Sequence, residues 1–146
     1  MADPYTTEAN LIKASDRETL IKLTADNNEG KIVTEVITWA ISRADNIIDA
    51  HCRGRYPADM STANIPELIV DISTTLSLFE LYKKRLTLTL PESLNKSYKL
   101  AIKMLENIQS GKLTPWESTD EPTILLSNKT SSSKTFDSDL WDTYDR

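Results

Sequence analysis

The feature that most constrains the fold is a helical repeat of apolar residues between Ile32 and Cys52. Apolar side chains recur there at intervals of three and four residues, which places them on one face of a helix. They are Val33, Val36, Ile37, Ala40, Ala44, Ile47 and Ile48. Gly54 and Pro57 follow, and both residue types end helices. We therefore predict an amphipathic helix that ends close to Cys52.

Two more apolar stripes with helical spacing lie downstream. One begins at Pro66 and runs to about Leu86, and the other begins at Pro91 and stops before Gly111. Proline is favoured at the first position of a helix, and glycine is favoured just past the last. The segment RLTLTLP between the two stripes alternates like a strand, but it is short, and we interpret it as a linker.

Two short helices are predicted before the polar loop TADNNEG. The first lies in TTEANLIKA. The second lies in SDRETLIKL, where Ser15 and Glu18 have the spacing of a capping box. The predicted fold class is all-α. It is a small helical bundle of three long amphipathic helices plus two short N-terminal helices, over residues 1–113. Residues 114–146 form an extended C-terminal arm.

Composition narrows the class of protein. The chain has 146 residues, which suits one domain of ordinary size. Its single cysteine cannot form an intramolecular disulfide, which favours a cytoplasmic setting. The N-terminus MADPYTTEAN is too polar for a signal peptide. No apolar run approaches the length of about 18 residues that a membrane helix needs, so we expect no membrane contact.

Charge is unevenly distributed along the chain. The net charge is −5, which argues against a dedicated nucleic-acid-binding protein. Residues 114–146 carry seven acids and three bases, whereas residues 83–113 carry seven bases and two acids. The favoured interpretation of this basic segment is a solvated helix face, and the functional alternative is that its cations contact phosphates in a DNA channel or a neighbouring subunit. These candidates are Lys83, Lys84, Arg85, Lys96, Lys99 and Lys103.

The stretch DAHCRGRYP, residues 49–57, holds the only histidine and the only cysteine. Adjacent helical residues point about 100° apart, so His51 and Cys52 do not converge on one reaction centre. One histidine and one cysteine are also too few for a structural zinc site. We expect no catalytic residue, no metal site and no cofactor. The favoured interpretation is a helix end and turn, formed by Asp49, Arg53, Arg55, Tyr56 and Pro57.

The C-terminal arm combines acids with apolar residues. It is too polar between Ser127 and Thr135 to build a core of its own. Phe136, Leu140 and Tyr144 have the spacing that would bring them to one side of a helical turn. We predict that the arm binds a partner through its large apolar residues. These are Trp116, Ile124, Leu125, Phe136, Leu140, Trp141 and Tyr144.

Several segments, taken in order, carry a resemblance to a known family. They are LIKLT (20–24), AISRADNIIDAHCRGRYP (40–57), IPELIVDISTTLSLFELYKKR (65–85), SYKLAIKMLENIQSGKL (97–113) and KTFDSDLWDTY (134–144). The second contains an Ile-Asp pair at Ile48-Asp49, followed by Arg55-Tyr56. The chain resembles the Mu-type phage gp36-like family of small helical virion proteins. It is similar, more remotely, to the head–tail connector (adaptor) proteins of long-tailed phages.

The resemblance implies a mechanical role. A structural virion protein of this kind would be an adaptor subunit in the virion neck, present in the host cytoplasm during assembly. It would form a homo-oligomeric ring of about twelve copies under the portal and extend the DNA channel towards the tail. The implied partners are other copies of the chain, the portal protein, the next neck or tail-completion protein, and genome DNA passing without sequence specificity. The alternative is a small helical protein-binding or regulatory module whose C-terminal tail captures a partner.

Overall fold

The computed structural model describes residues 4–25, 30–56, 64–85 and 87–116. Regular structure in these ranges consists of five helices and no strand. They are α1 (Glu8–Ala14), α2 (Arg17–Thr24), α3 (Thr34–Cys52), α4 (Glu67–Lys84) and α5 (Glu92–Gln109). The prediction of an all-α fold, with two short helices followed by three long ones, is confirmed.

The three long helices form the centre of the bundle. Arg43 contacts Glu80 and Asp45 contacts Ser73, so α3 and α4 run antiparallel. α5 packs against both of them, while α1 and α2 cover α4 and the beginning of α3. The apolar stripes predicted from the sequence lie in these contacts, because an exposed stripe would leave a large apolar area in water.

The core has two parts. One lies among α3, α4 and α5 and includes Ile48, Cys52, Ile69, Leu76 and Leu105. The other joins the two short helices to α3 and α4. It includes Leu11, Leu20, Leu23, Ile37 and Leu81. Ala40 and Ala44 of α3 are fully buried, and their small side chains allow α3 and α4 to approach closely.

Three helix boundaries differ from the prediction. Pro66 and Pro91 have extended backbone and precede their helices, which begin at Glu67 and Glu92. Proline restricts φ but not ψ, so it suits an N-cap as well as the first helical position. α4 ends at Lys84, and Leu86 lies outside the described residues.

The predicted capping box of α2 is wrong. Ser15 is the C-cap of α1, and its hydroxyl donates to the Leu11 carbonyl at 3.2 Å. Asp16 is the N-cap of α2 instead, without a side-chain capping hydrogen bond. Because the two caps are adjacent residues, Ser15 completes the first helix and Asp16 begins the second.

The end of α5 is a Schellman motif. Gly111 has a φ of 78°, its N–H donates to the Ile108 carbonyl, and the Lys112 N–H donates to the Asn107 carbonyl. The chain then turns back, and Trp116 packs on Tyr56 with ring centroids 4.7 Å apart. Trp116, which the sequence predicts to be part of the arm, therefore packs against the bundle.

Candidate interaction surfaces

A shallow groove between α4 and α5 is the first candidate surface. It has a volume of about 210 Å³, and we call it the α4–α5 groove. Its lining residues are Leu68, Asp71, Ile72, Thr75, Ser97, Leu100, Ala101 and Met104. Leu100 is 53% exposed, the most exposed of the large apolar side chains in the described part of the chain. Together with the apolar side chains that line the groove, Leu100 makes this face a candidate contact surface.

Three exposed lysines of α5 border this groove. Lys96, Lys99 and Lys103, which we call the lysine row, recur at helical spacing. At about 100° per residue they lie on one side of Leu100, while Ser97 and Met104 lie on the other side, towards α4. Lys96 forms an ion pair with Glu92 at 2.8 Å. The row places positive charge along the outer edge of the groove.

The other predicted cations lie at the end of α4, with different neighbours. Lys83 and Lys84 are exposed. Arg85 donates from Nε to the Leu23 carbonyl at 3.2 Å and from its terminal nitrogen to the Ala25 carbonyl. These contacts give Arg85 a role within its own chain, because they satisfy carbonyls at the end of α2 that the helix leaves without partners.

A cationic aromatic patch lies where α3 meets the end of α4. Trp39 is 41% exposed, and two cations lie over its ring: Arg43 at 5.4 Å and Lys84 at 5.6 Å from the centroid. Such contacts contribute about 0.5–1 kcal/mol each at exposed sites. We call Trp39, Arg43 and Lys84 the Trp39 patch. An exposed tryptophan in contact with two cations is suited to binding a partner.

A buried glutamate supports this patch from below. Glu80 is 4% exposed, and its carboxylate accepts a hydrogen bond from Arg43 Nε at 2.9 Å. Lys83 lies 3.7 Å from the same carboxylate. Because an unpaired buried charge is unfavourable, this carboxylate holds Arg43 in place against α4. The sequence prediction missed this pair, which joins residues 37 positions apart.

A second polar network attaches the N-terminal segment to the bundle. The Tyr5 hydroxyl donates to Asp49 at 2.6 Å, and the Tyr5 backbone N–H donates to Asp45 at 3.3 Å. Ser73 donates to Asp45 at 2.9 Å. Burial raises the pKa of Asp45, and the hydrogen bonds from Ser73 and Tyr5 oppose that rise. Burial, followed by the contact with Asp49, raises the pKa of Tyr5.

This network gives Asp49 a structural role that the sequence did not reveal. The sequence predicts Asp49 to be part of a helix-end motif, and its backbone carbonyl does accept the Arg53 N–H at the end of α3. Its side chain, however, holds Tyr5, which is 44 positions away. The spacing of Asp45 and Asp49 on one side of α3 was the available signal, but their partners follow only from the packing of the chain.

The side chains of His51 and Cys52, at the end of α3, have different surroundings. Cys52 is fully buried in the core, and burial, followed by the Asp49 charge, raises the pKa of its thiol to about 11. The thiol is therefore protonated at neutral pH. His51 Nδ1 lies 2.8 Å from the Ile47 carbonyl. Arg53 and Arg55 are exposed, Arg55 packs against Gly111, and Pro57 lies outside the described residues.

A polar cleft of about 330 Å³ separates α1 from the beginning of α4. Its polar side chains come from Asn10, Lys13, Glu67, Asp71 and Thr74.

In the part of the chain that the structure describes, no group of three or more His, Cys, Asp or Glu side chains could hold a metal ion. The remaining arm residues lie outside the described ranges. They are Ile124, Leu125, Phe136, Leu140, Trp141 and Tyr144.

Comparison with known proteins assigns the family. The family model described as "Bacteriophage Mu, Gp36" matches residues 5–132, which include all five helices. The chain belongs to the phage Mu Gp36 family. The resemblance seen in the sequence is thereby confirmed, and membership of this family supports a phage virion-related protein. No curated protein matches the chain.

The Gp36 match ends before one of the segments that carried the resemblance. KTFDSDLWDTY, residues 134–144, lies beyond residue 132, so the family match does not extend to this pattern. None of the helices in the described ranges has the length and apolar character needed to cross a membrane.

Proposed function

We propose that this Gp36-family protein is a structural virion protein, the subunit of a head–tail connector ring beneath the portal. Membership of the phage Mu Gp36 family is the observation that carries the proposal. In this role the ring seats on the portal, extends the DNA channel towards the tail, and meets the next neck or tail-completion protein. The role is mechanical and requires no reaction or cofactor.

The surfaces of the bundle support ring formation. A closed ring needs two different surfaces on each subunit that fit each other head to tail. The Trp39 patch and the α4–α5 groove differ in chemistry, since one presents an aromatic ring in contact with two cations and the other presents aliphatic side chains. The lysine row is exposed on one face of α5, where it is available either to DNA in the channel or to acidic residues of a neighbouring subunit.

Co-purification with the portal protein of the same phage tests the proposal. The full chain, tagged and co-expressed with the portal, should be retained on it as a ring visible by electron microscopy. Light scattering on the chain alone gives its oligomeric state, and monomers there are compatible with a connector that assembles only on the portal. Failure to bind the portal in any assembly state would contradict the proposal.

A channel function also makes a prediction about salt. If the lysine row faces the DNA, binding should be independent of sequence and should weaken as salt rises. Replacing Lys99 and Lys103 by Gln should reduce DNA retention by the assembled ring. The matched control is Lys13→Gln, which removes an exposed cation from α1. If the variant ring retains DNA as well as the wild-type ring does, the lysine row contacts protein and not DNA.

The alternative function is a small helical protein-binding or regulatory module. The exposed Trp39 in contact with two cations favours it, because one aromatic anchor can bind a partner without an oligomeric ring. Such a module would bind its partner in a fixed one-to-one ratio and would not assemble on the portal. The portal experiment therefore distinguishes the two functions.

A further inference from the structure

We infer that the α4–α5 groove is a docking site for residues 136–145 of a neighbouring copy of this chain. The groove presents an apolar floor that the bundle leaves open to solvent. Leu100 is 53% exposed, and Ser97 and Met104 continue the same open face towards α4. A partner that covers this face would remove the Leu100 side chain from water, which favours binding.

Charge identifies the occupant. The lysine row borders the groove, and within the described ranges no ion pair occupies Lys99 or Lys103. Asp71 is the acidic side chain that lines the opposite edge. The fitting partner is therefore an apolar segment with several acids, which can place its apolar residues in the groove and its acids along the lysine row.

The chain carries such a segment at its own C-terminus. Residues 136–145 have the sequence FDSDLWDTYD, in which four aspartates alternate with Phe136, Leu140, Trp141 and Tyr144. No base occurs in this stretch. The segment thus combines the two properties that the groove and the lysine row require.

Chain length allows the segment to reach another copy. Phe136 lies 20 positions after Trp116, which packs on Tyr56. Such a stretch spans up to about 66 Å when extended, whereas α5, with 18 residues, is about 27 Å long. The choice of a neighbouring copy over the same copy rests on the proposed connector role, in which subunits must hold one another.

Photo-crosslinking in the full chain tests this choice directly. The photoreactive residue p-benzoylphenylalanine replaces Ser97, which is exposed at the groove, and in a control chain it replaces Asn46 on α3. Chains labelled with ¹⁵N and unlabelled chains are mixed in equal amounts before irradiation. Crosslinks from position 97 to residues 136–145 should join labelled to unlabelled chains, and position 46 should give none.

Complementation between variants provides an independent test. Leu100→Asp disables the groove, and Leu140→Asp with Trp141→Ser disables the segment. Light scattering should find each variant monomeric, with self-association about ten- to a hundredfold weaker than in the wild type. Mixing the two variants should restore a one-to-one complex, because one still has its groove and the other its segment. Leu88→Ser is the matched control, since Leu88 is an exposed leucine outside the groove.

The outcomes separate this inference from the connector role. Crosslinks confined to one copy, crosslinks to other parts of the chain, no crosslinks, or no complex in the mixture would each overturn the inference. Circular dichroism on every variant excludes unfolding as the cause. Portal co-purification tests the connector role by itself, so a chain that binds the portal without intermolecular crosslinks would retain its function and lose only this docking site.

Discussion

The carboxylate of Asp45 on α3 accepts a hydrogen bond from the hydroxyl of Ser73 on α4, at 2.9 Å. Its second oxygen accepts the backbone N–H of Tyr5 at 3.3 Å. One side chain thus connects the two central helices to the N-terminal segment. Burial raises the pKa of this carboxyl group, so the fold favours its neutral form.

The sign of the resulting pH dependence follows from that raised pKa. Because the folded-state pKa lies above the unfolded value, Asp45 contributes most to stability below its ordinary pKa. The contribution falls as pH rises through the raised folded-state pKa. Asp45→Asn should remove this dependence while keeping both hydrogen bonds, since the amide oxygen accepts from Tyr5 and the amide nitrogen donates to Ser73.

Asp45→Ala is the contrasting change at the same position. It leaves the Tyr5 N–H and the Ser73 hydroxyl without their partner, and should lower the free energy of unfolding by about 1–3 kcal/mol. Urea unfolding between about pH 4 and pH 8 measures both variants. An Asn variant as unstable as the Ala variant would show that the negative charge itself is required.

A second prediction concerns the buried Glu80. Arg43→Met removes the guanidinium that lies 2.9 Å from Glu80 and leaves Lys83, at 3.7 Å, as the remaining cation. The free energy of unfolding should fall by about 1–3 kcal/mol, because Glu80 stays buried. Lys83→Met should have a smaller effect, of about 0–1 kcal/mol, since Lys83 is exposed and more distant.

The double variant Arg43→Met with Glu80→Gln tests the physical reason. Removing the buried charge together with its partner should recover part of the lost stability. If the two effects simply add in the double-mutant cycle, then Arg43 stabilises the protein through its contact with Trp39 and not through Glu80.

A third prediction concerns the turn after α5. Gly111 has a φ of 78°, and a side chain there would also collide with the Arg55 guanidinium. Gly111→Ala should therefore lower stability by about 1–2 kcal/mol from backbone strain, with a further loss from displacing Arg55. Gly30→Ala should lower stability through backbone strain only, because the φ of Gly30 is 63° and no atom lies close enough to collide with a new side chain.

Gly54→Ala is the control for these glycine variants. Gly54 has neither a left-handed backbone nor a close neighbour, so the substitution should be nearly neutral. Adding Arg55→Ala to Gly111→Ala should restore only the part of the stability that the collision removed. Thermal unfolding ranks the variants by stability. A Gly111 variant as stable as the Gly54 variant would contradict the prediction.

A fourth prediction concerns the reactivity of Cys52. Its thiol is fully buried and protonated at neutral pH, whereas only the exposed thiolate reacts readily. A thiol reagent should therefore label the native protein far more slowly than the urea-unfolded protein. His51→Ala should leave this rate unchanged. Rapid labelling of native protein that His51→Ala abolishes would instead indicate an activated cysteine.

The sequence by itself determined the helices, their approximate ends and the family. Apolar spacing is a local property, and the stripes around Ile37, Leu76 and Leu105 are buried in the structure as their periodicity predicts. Leu100 could also have been recognised, because it lies outside the apolar stripe of its own helix. Helix caps were less predictable, since Ser15 can end one helix or begin the next and only the chain geometry selects between them.

The tertiary structure alone decided which polar residues meet. Asp45 contacts Ser73, 28 positions away, and Arg43 contacts Glu80, 37 positions away. No local sequence pattern identifies such partners. It also decided that Trp116 packs on Tyr56, and that Arg85 binds carbonyls at the end of α2 while Lys99 stays exposed. The physical reason is that a polar or aromatic side chain takes its role from whatever the packed helices bring within a few ångströms. An apolar stripe is buried by almost any partner that covers it.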